Sequence, residues 1–157
     1  MLFTGQFEHS IDAKQRLAVP AEIRNRWDAT RDGAAWYAVP WLSDAGGVIR
    51  LYTENEFHRR SAIGDATLLP DEDEARIQQT LFGLARRIEP DSAGRVRLPE
   101  DLLQFVSIRT DVTLVGAGDR LEIHDREAWN ASLRDRLQEL PELMKRLSAK
   151  RNGGGGA

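Results

Sequence analysis

The same nine-residue pattern occurs twice in this chain, as DAKQRLAVP at residues 12–20 and as DSAGRVRLP at residues 91–99. Aspartate, arginine and proline keep their places, and an apolar residue follows each arginine and precedes each proline. A repeat of this kind predicts one structural unit used twice, so the chain consists of two related halves. The repeat also places basic side chains at equivalent points of both halves.

A second similarity follows the repeat in each half. Residues 49–57 (IRLYTENEF) resemble residues 121–129 (LEIHDREAW), with a strand pattern, a helix-capping residue and an aromatic four residues after the cap. Two motifs in the same order make a chance similarity improbable.

The composition limits the class of protein. With 157 residues, 41% hydrophobic residues and four Trp, the chain can form one domain or two small ones with a real core. The net charge is −3, so any binding of nucleic acid must come from local basic patches or from assembly. There are no cysteines, which excludes disulfides, thiolate zinc sites and a Cys nucleophile.

Targeting and catalytic motifs are missing from the sequence. The first residues lack the pattern of a signal peptide, and no apolar run is long enough for a membrane span, so we expect a cytoplasmic protein. There is no phosphate-binding glycine loop, GxSxG or HExxH motif. His9, expected in a turn, His58, expected on an exposed helix, and His124, at a strand-to-helix corner, have no metal-ligand spacing. We therefore expect no enzyme activity, no cofactor, no metal and no small-molecule substrate.

Hydrophobic periodicity predicts alternating strands and helices. Strands are expected at 2–7, 15–19, 34–41, 48–52, 95–98, 111–115 and 120–124. Helices are expected at 21–27, from the Thr53 cap to about 63, after Pro99, and after an Asp125 cap. A central helix begins at the acidic run 71–74 and continues through Ile77, Leu81, Leu84 and Ile88. An apolar stripe of Ala128, Trp129, Leu133 and Leu137 is expected on the last helix, before a mobile glycine-rich tail.

The alternation along the repeated strands assigns opposite faces to apolar and basic side chains. The inward residues are Leu17 and Val19 in the first copy and Val96 and Leu98 in the second. The outward cations are Lys14, Arg16, Arg95 and Arg97. Two cations two residues apart on a strand are about 7 Å apart, which is comparable with phosphate spacing along nucleic acid.

Each aspartate of the repeat lies four residues before an arginine. Asp12–Arg16 and Asp91–Arg95 could be ion pairs that only hold two hairpins together, and this alternative remains open from the residues alone. Ion pairs of this kind would not explain why two further cations, Lys14 and Arg97, lie beside them. Our interpretation is that Asp12 and Asp91 support the motif and that the cations bind a ligand.

Several segments resemble the MraZ family of bacterial transcriptional regulators. They are Phe3-x-Gly5, the pattern at 12–20, ARIQQTLFG at 75–83, the pattern at 91–99, Gly116, and LEIHD at 121–125 leading to Trp129. Together they extend from residue 1 to about residue 137. Their order and spacing carry the resemblance.

The resemblance implies an α+β fold: a pseudo-symmetric swapped-hairpin β-barrel built from two halves of the SpoVT/AbrB type, with flanking helices. The implied organisation is a first AbrB-like domain at 5–55, connecting helices at 56–83, a second AbrB-like domain at 84–127, a C-terminal helix at 128–151 and a flexible tail at 152–157.

The resemblance also implies a function. Such proteins assemble into homo-oligomeric rings and bind direct repeats in double-stranded promoter DNA of the division and cell-wall gene cluster, usually as repressors, so a nucleoid-associated cytoplasmic protein is expected. By position, Lys14, Arg16 and Arg95 would contact DNA, with Asp12 and Asp91 in support. Arg97 is added to these expected DNA contacts because it is one of the outward cations of the repeated strands. An alternative is an oligomeric protein-interaction module of antitoxin type, whose binding arm would be residues 139–151.

The sequence departs from the family pattern at two positions. Gln15 replaces the usual glycine of the first motif, whereas Gly94 retains it in the second, so Gln15 is expected to strain the turn or alter the contact. Leu84 replaces a histidine that is common after the central glycine.

Overall fold

The computed structural model describes residues 1–43, 46–62 and 71–154. The chain divides into two compact units, Met1–Arg126 and Glu127–Ala157. The first unit contains both helices and strands, so the predicted α+β class is confirmed. Asp44 and Ala45, which lie between the strands expected at 34–41 and 48–52, the end of the helix expected to reach residue 63, and residues 155–157 of the expected tail lie outside the described residues.

The first half contains four strands and three helices. They are β1 (Gln6–Ser10), β2 (Arg16–Ala18), α1 (Ala21–Arg26), α2 (Ala29–Asp32), β3 (Trp36–Ser43), β4 (Gly46–Thr53) and α3 (Glu54–Ser61). The helix α4 (Glu72–Leu84) follows. The predicted cap at Thr53 is present, since its side chain accepts from the N–H of Glu56 at 3.3 Å. The acidic run that was expected to begin α4 also supplies a cap, since the Asp71 side chain accepts from the N–H of Glu74 at 2.8 Å.

The second half repeats this plan. Its elements are β5 (Arg86–Ile88), β6 (Arg95–Arg97), α5 (Glu100–Phe105), β7 (Asp111–Gly116) and β8 (Leu121–Asp125). The last helix, α6, runs from Arg126 to Gly153 and therefore includes the first two residues of the expected tail.

The strand order reflects the internal repeat. One sheet has the order β1-β7-β8-β4-β3-β5, and a second sheet consists of β2 and β6. The counterparts in the two halves are β1 and β5, β2 and β6, β3 and β7, and β4 and β8. If each strand is exchanged for its counterpart, both strand orders are the same when read from the opposite edge. The outer strand of each half pairs with the other half, β1 with β7 and β5 with β3. The described strands β2 and β6 pair only with each other, so these pairings do not close into the barrel that the resemblance implied.

The core joins the two sheets. Leu17 of β2 lies opposite Val96 of β6, and both side chains are fully buried. Val19 and Leu98, the next inward residues, are also buried, as the alternation predicted. The same cluster includes apolar residues of β4, β7, β8 and α5. The burial of Leu17 and Val96 leaves the other face of β2 and β6 for their polar side chains.

At the centre of the large sheet, two equivalent positions carry opposite charges. Arg50 of β4 lies opposite Glu122 of β8, with 3.6 Å between Nε and Oε2. Burial alone would raise the pKa of Glu122, but hydrogen bonds from His124 and Arg120 outweigh it and lower the pKa to about 2. Glu122 is therefore a carboxylate at neutral pH, and its charge complements the arginine across the join between the halves.

Two local predictions are wrong. The central helix ends at Leu84 rather than at Ile88, because Ala85 is extended and Arg86–Ile88 pairs with β3, where Ile88 lies opposite Trp36. His9 lies in β1 opposite Val112 rather than in a turn. In both cases pairing with a strand distant in sequence overrides the local pattern.

Candidate nucleic-acid interface

The first copy of the repeated motif forms a tight turn organised by one carboxylate. Oδ1 of Asp12 accepts from the backbone N–H groups of Lys14 and Arg16, each at 2.9 Å, and its Oδ2 accepts from Nε of Arg16 at 2.8 Å. The backbone N–H of Gln15 donates to the carbonyl of Asp12 at 3.0 Å. Short side-chain acceptors such as aspartate favour turns of this type, so the sequence itself explains the local fold.

The second copy has the same geometry. Oδ1 of Asp91 accepts from the N–H groups of Ala93 and Arg95, each at 2.9 Å, and Oδ2 accepts from Nε of Arg95 at 2.9 Å. The N–H of Gly94 donates to the carbonyl of Asp91 at 3.0 Å. The two predicted Asp–Arg pairs are therefore present, and each arginine keeps its terminal nitrogens available beyond the Nε bond.

The two turns are joined by reciprocal backbone hydrogen bonds. The N–H of Val19 donates to the carbonyl of Gly94 at 3.1 Å, and the N–H of Leu98 donates to the carbonyl of Gln15 at 2.8 Å. Each turn is therefore held by the end of the other motif's strand. The sequence predicted two equivalent turns, but it did not predict that they lie side by side.

This arrangement brings like charges together on the outer face of the small sheet. Arg16 lies directly opposite Arg97, and Arg95 lies opposite Ala18. The side chain of Arg16 is 32% exposed and that of Arg95 is 36% exposed. Directly opposed like charges destabilise a sheet in the absence of a ligand. Asp12 offsets part of the charge of Arg16, whereas Arg97 has no ion pair among the described residues, so an anion bound to this face would relieve the remaining repulsion.

The remaining cations are exposed. Lys14 lies in the first turn and Arg97 at the end of β6, and both are solvent-exposed. Within the described ranges neither side chain forms an ion pair. The four predicted cations of this surface, Lys14, Arg16, Arg95 and Arg97, thus outnumber the two carboxylates of Asp12 and Asp91. It is positive although the whole chain has a net charge of −3.

Both motif aspartates are ionised well below neutral pH. The pKa of Asp12 is lowered chiefly by the hydrogen bond from the backbone N–H of Arg16, and then by its guanidinium and by the N–H of Lys14. The pKa of Asp91 is lowered in the same way, chiefly by the backbone N–H of Arg95. Each carboxylate therefore keeps its turn ordered across the physiological range.

The residue at the fourth turn position adopts the left-handed conformation in both copies. Its φ is +61° at Gln15 and +75° at Gly94. This is the conformation in which glycine has an advantage over other residues. The expected strain at Gln15 thus follows from its backbone angle.

One arginine of this surface was not identified from the sequence. Arg24, in α1, donates from Nε to the carbonyl of Val19 at 3.0 Å. Its side chain also lies over Gly94, where an added Cβ would be 2.3 Å from Cδ of Arg24. The second half has Leu103 at the corresponding position after its proline, and Leu103 is buried. The only available signal was this difference between the halves.

Other candidate chemistries have less support. His58 lies on α3 and is exposed as predicted, with Nε2 at 3.4 Å from the Tyr37 hydroxyl. His124 is buried, and its Nε2 lies 3.0 Å from Glu122. Across the described ranges, no group of three or more His, Asp and Glu side chains could hold a metal ion. None of the helices in the described ranges has an apolar stretch that could cross a membrane.

Comparison with known proteins gives a consistent result. The family model described as "MraZ protein, putative antitoxin-like" matches residues 81–147. A protein of Saccharophagus degradans named transcriptional regulator MraZ is 32% identical over 151 residues, which cover 94% of this chain and 99% of that protein. Proteins of the same name from Heliobacterium modesticaldum, 32% identical over 82% of this chain and 85% of the relative, and from Mesoplasma florum, 26% identical over 94% and 96%, also match. The identity and coverage of these relatives, together with the paired turns, show that the chain belongs to the MraZ family.

Proposed function

We propose that this protein is a sequence-specific DNA-binding transcriptional regulator that contacts DNA through its two motif turns. The observation that carries the proposal is the directly opposed pair Arg16 and Arg97, flanked by Arg95 on an outward face of a small sheet. Guanidinium groups can bind phosphate oxygens or the edge of guanine, and phosphate contacts supply most of the affinity.

Each type of residue then has a distinct role. The carboxylates of Asp12 and Asp91 hold the turns and orient Arg16 and Arg95 through Nε. The terminal nitrogens of these arginines would donate to DNA. Lys14 contributes a further positive charge from the first turn. Fixed guanidinium groups lose less entropy on binding than mobile ones, which favours a specific geometry.

The proposed assembly is a homo-oligomeric ring that binds direct repeats of promoter DNA. The resemblance supports such a ring. A ring also explains how a protein with a net charge of −3 could bind DNA, because several weak and correctly spaced basic patches bind repeated sites that no single patch would hold alone. The proposed target is the division and cell-wall gene cluster, which the protein would repress from the nucleoid region of the cytoplasm. The swapped-hairpin organisation of the halves is supported by the strand order, in which β1 pairs with β7 and β5 with β3.

The substitution Arg16→Ala tests the proposal directly. We expect it to weaken binding to promoter-repeat DNA by about tenfold to a hundredfold, since one specific arginine contact contributes roughly 1–3 kcal/mol. The thermal midpoint should stay near wild type, because the neighbouring Arg97 is relieved of an opposed charge. The matched control is Arg59→Ala, which removes the same charge from the exposed surface of α3. Equal DNA binding by wild type and Arg16→Ala would refute the assigned role.

Salt dependence supplies an independent measurement. The affinity should fall steeply with salt, because each phosphate contact releases counterions, with a slope of about −0.9 per contact. Arg16→Ala should make the slope shallower, whereas Arg59→Ala should not change it. A flat response in the wild type would contradict binding through the motif cations.

A second candidate function is an oligomeric protein-interaction module. It is favoured by the exposed apolar side chains of Leu137, Leu140 and Met144 on α6. Deletion of the residues after Leu140 distinguishes the two functions. A DNA-binding regulator should retain its intrinsic affinity for a single repeat, whereas a module of this kind would lose its partner and would not shift DNA in either form.

A further inference from the structure

The helix α6 carries an apolar seam with the spacing of a coiled coil. The seam consists of Leu133, Leu137, Leu140, Met144 and Leu147, with intervals that alternate between four and three residues. No side chain of α6 is buried, and Leu137 is 73% and Met144 61% exposed. Side chains at such intervals share one face of a helix and fit a partner helix.

The charges of α6 are sorted around this seam. The residues beside the seam are cationic or uncharged, and the cations among them are Arg134, Arg136 and Lys150. The acidic residues Asp135, Glu139 and Glu142 lie farther round the helix, as do Lys145 and Arg146. Charges that flank a seam decide which partner a helix accepts.

This distribution disfavours pairing of α6 with a copy of itself. Both flanks would then place cations against cations, and Arg134, Arg136 and Lys150 would find no acidic partner across the interface. The occupant of the seam is therefore expected to be a helix that presents an apolar residue between acidic ones.

The helix α4 has these properties. It begins with Asp71, Glu72, Asp73 and Glu74, and its only cation is Arg76. Ile77 lies one turn after Asp73 and Glu74 and is 58% exposed. No residue of α4 is buried. Its later residue Phe82 contacts the ring of Phe57 edge-on, with 6.1 Å between ring centroids, whereas Ile77 in its first turns stays exposed.

We propose that the seam of α6 in one copy of the protein docks on the acidic first turns of α4 in another copy. This inference rests on the proposed ring, for which it supplies a contact between neighbouring subunits. The apolar seam contacts Ile77, and the cations beside the seam pair with Asp73 and Glu74. The interface joins two different surfaces, and such heterologous contacts generate rings when the rotation closes.

Charge reversal in the full-length protein tests the electrostatic part of the interface. Asp73→Lys with Glu74→Lys should weaken association by about tenfold or more, measured by native mass as a function of concentration. Arg136→Glu with Lys150→Glu should weaken it similarly. All four changes together should restore assembly, because they re-form the charge pairs with the signs exchanged. If the α4 substitutions had instead disrupted the folding of α4, the changes in α6 would not restore assembly. The matched control, Asp135→Lys with Glu139→Lys, alters the far face of α6 and should leave the assembly unchanged.

The absence of cysteine in the sequence permits a direct test of proximity. Ile77→Cys and Met144→Cys are made in separate chains with different tags and co-expressed, so that any cross-link between them must join two copies. We expect a mixed disulfide between these chains. The control pair, Ile77→Cys with Asp135→Cys on the far face, should not cross-link.

The outcomes separate this inference from the proposed function. A mixed disulfide together with rescue by the fourfold charge reversal supports the interface. A disulfide only between two Met144→Cys chains, or a ring whose mass is unaffected by any of the charge reversals, overturns the interface while leaving the ring in place. A monomeric native mass for the wild type overturns both the interface and the proposed ring, whereas DNA binding by single copies can still be measured.

Discussion

The two copies of the motif have the same hydrogen bonds but different surfaces. Asp12 and Asp91 each accept two backbone N–H groups and one guanidinium N–H, and corresponding distances agree within 0.1 Å. The first copy adds Lys14 in the turn, whereas the second adds Arg97 on the strand. The repeated residues thus build the turn, and the residues that differ determine what it presents to a ligand.

The supports of the two turns also differ. At the second turn, Gly94 leaves room for the side chain of Arg24 from the first half. At the first turn, Gln15 occupies the glycine position, and the corresponding helix residue is Leu103. Pseudo-symmetry in the backbone therefore does not extend to the side chains, and the two turns are expected to contribute unequally to binding and to stability.

The largest difference is expected from alanine at the fourth turn position. Gly94→Ala should lower the free energy of unfolding by about 2 kcal/mol, because alanine is strained in the left-handed conformation and its Cβ would displace Arg24. Gln15→Ala should change it by less than about 0.5 kcal/mol, since both residues bear the same backbone strain. Urea unfolding measures both values. Similar losses at the two sites would show that the turns are equivalent after all.

A double-variant cycle isolates the contribution of Arg24. If the clash is part of the cost, Gly94→Ala should be less destabilising when Arg24 is already alanine. Additive effects would leave backbone strain as the sole cause of the loss.

The reverse substitution should remove a difference between the copies. Gln15→Gly should stabilise the protein by up to about 1 kcal/mol, because glycine relieves the strain of the left-handed conformation. The greater entropy of the unfolded glycine variant offsets part of this gain. Thermal or urea unfolding is the measurement. A clear loss of stability would mean that the Gln15 side chain makes a contribution larger than the strain.

A smaller effect of opposite sign is expected at Arg97. Arg97→Ala should raise the free energy of unfolding by a few tenths of a kcal/mol, about the cost of like charges opposite each other in a sheet. The same variant should bind promoter DNA more weakly. The mirrored change, Ala18→Arg, should destabilise the protein by a similar amount, because it places an arginine opposite Arg95. If Arg97→Ala is less stable than wild type, Arg97 has a structural role instead.

Of the properties considered, the pH dependence of stability should differ least between the two copies of the motif. Asp12 and Asp91 both have pKa values below that of an unfolded aspartate, about 4. A lowered pKa in the folded state means that their contribution is present above pH 4 and is lost as the pH falls through the folded value. Asp12→Asn and Asp91→Asn should each flatten the decline of the urea midpoint between pH 6 and pH 3. A flattening in only one variant would show that one of the two carboxylates does not support its turn.

Much of the local structure was predictable because its causes are local. The Asp–Arg spacing indicated the turns, the alternation around Leu17 and Val96 predicted their burial, and Thr53 acts as the predicted cap. The strands and helices of the second half followed from the first, since equivalent patterns fold alike. The errors at Ile88 and His9 arose where a partner strand far along the chain determined the conformation.

The sequence by itself determined that this protein has two equivalent motifs, each with a carboxylate that fixes an arginine, because the residues that build such a turn lie within a few positions of one another. Only the tertiary structure decided that the two turns lie side by side, that Arg16 lies opposite Arg97, and that Arg24 of one half covers Gly94 of the other. The physical reason is that these contacts join segments remote in sequence. Their register is set by the burial of a shared core rather than by any local pattern.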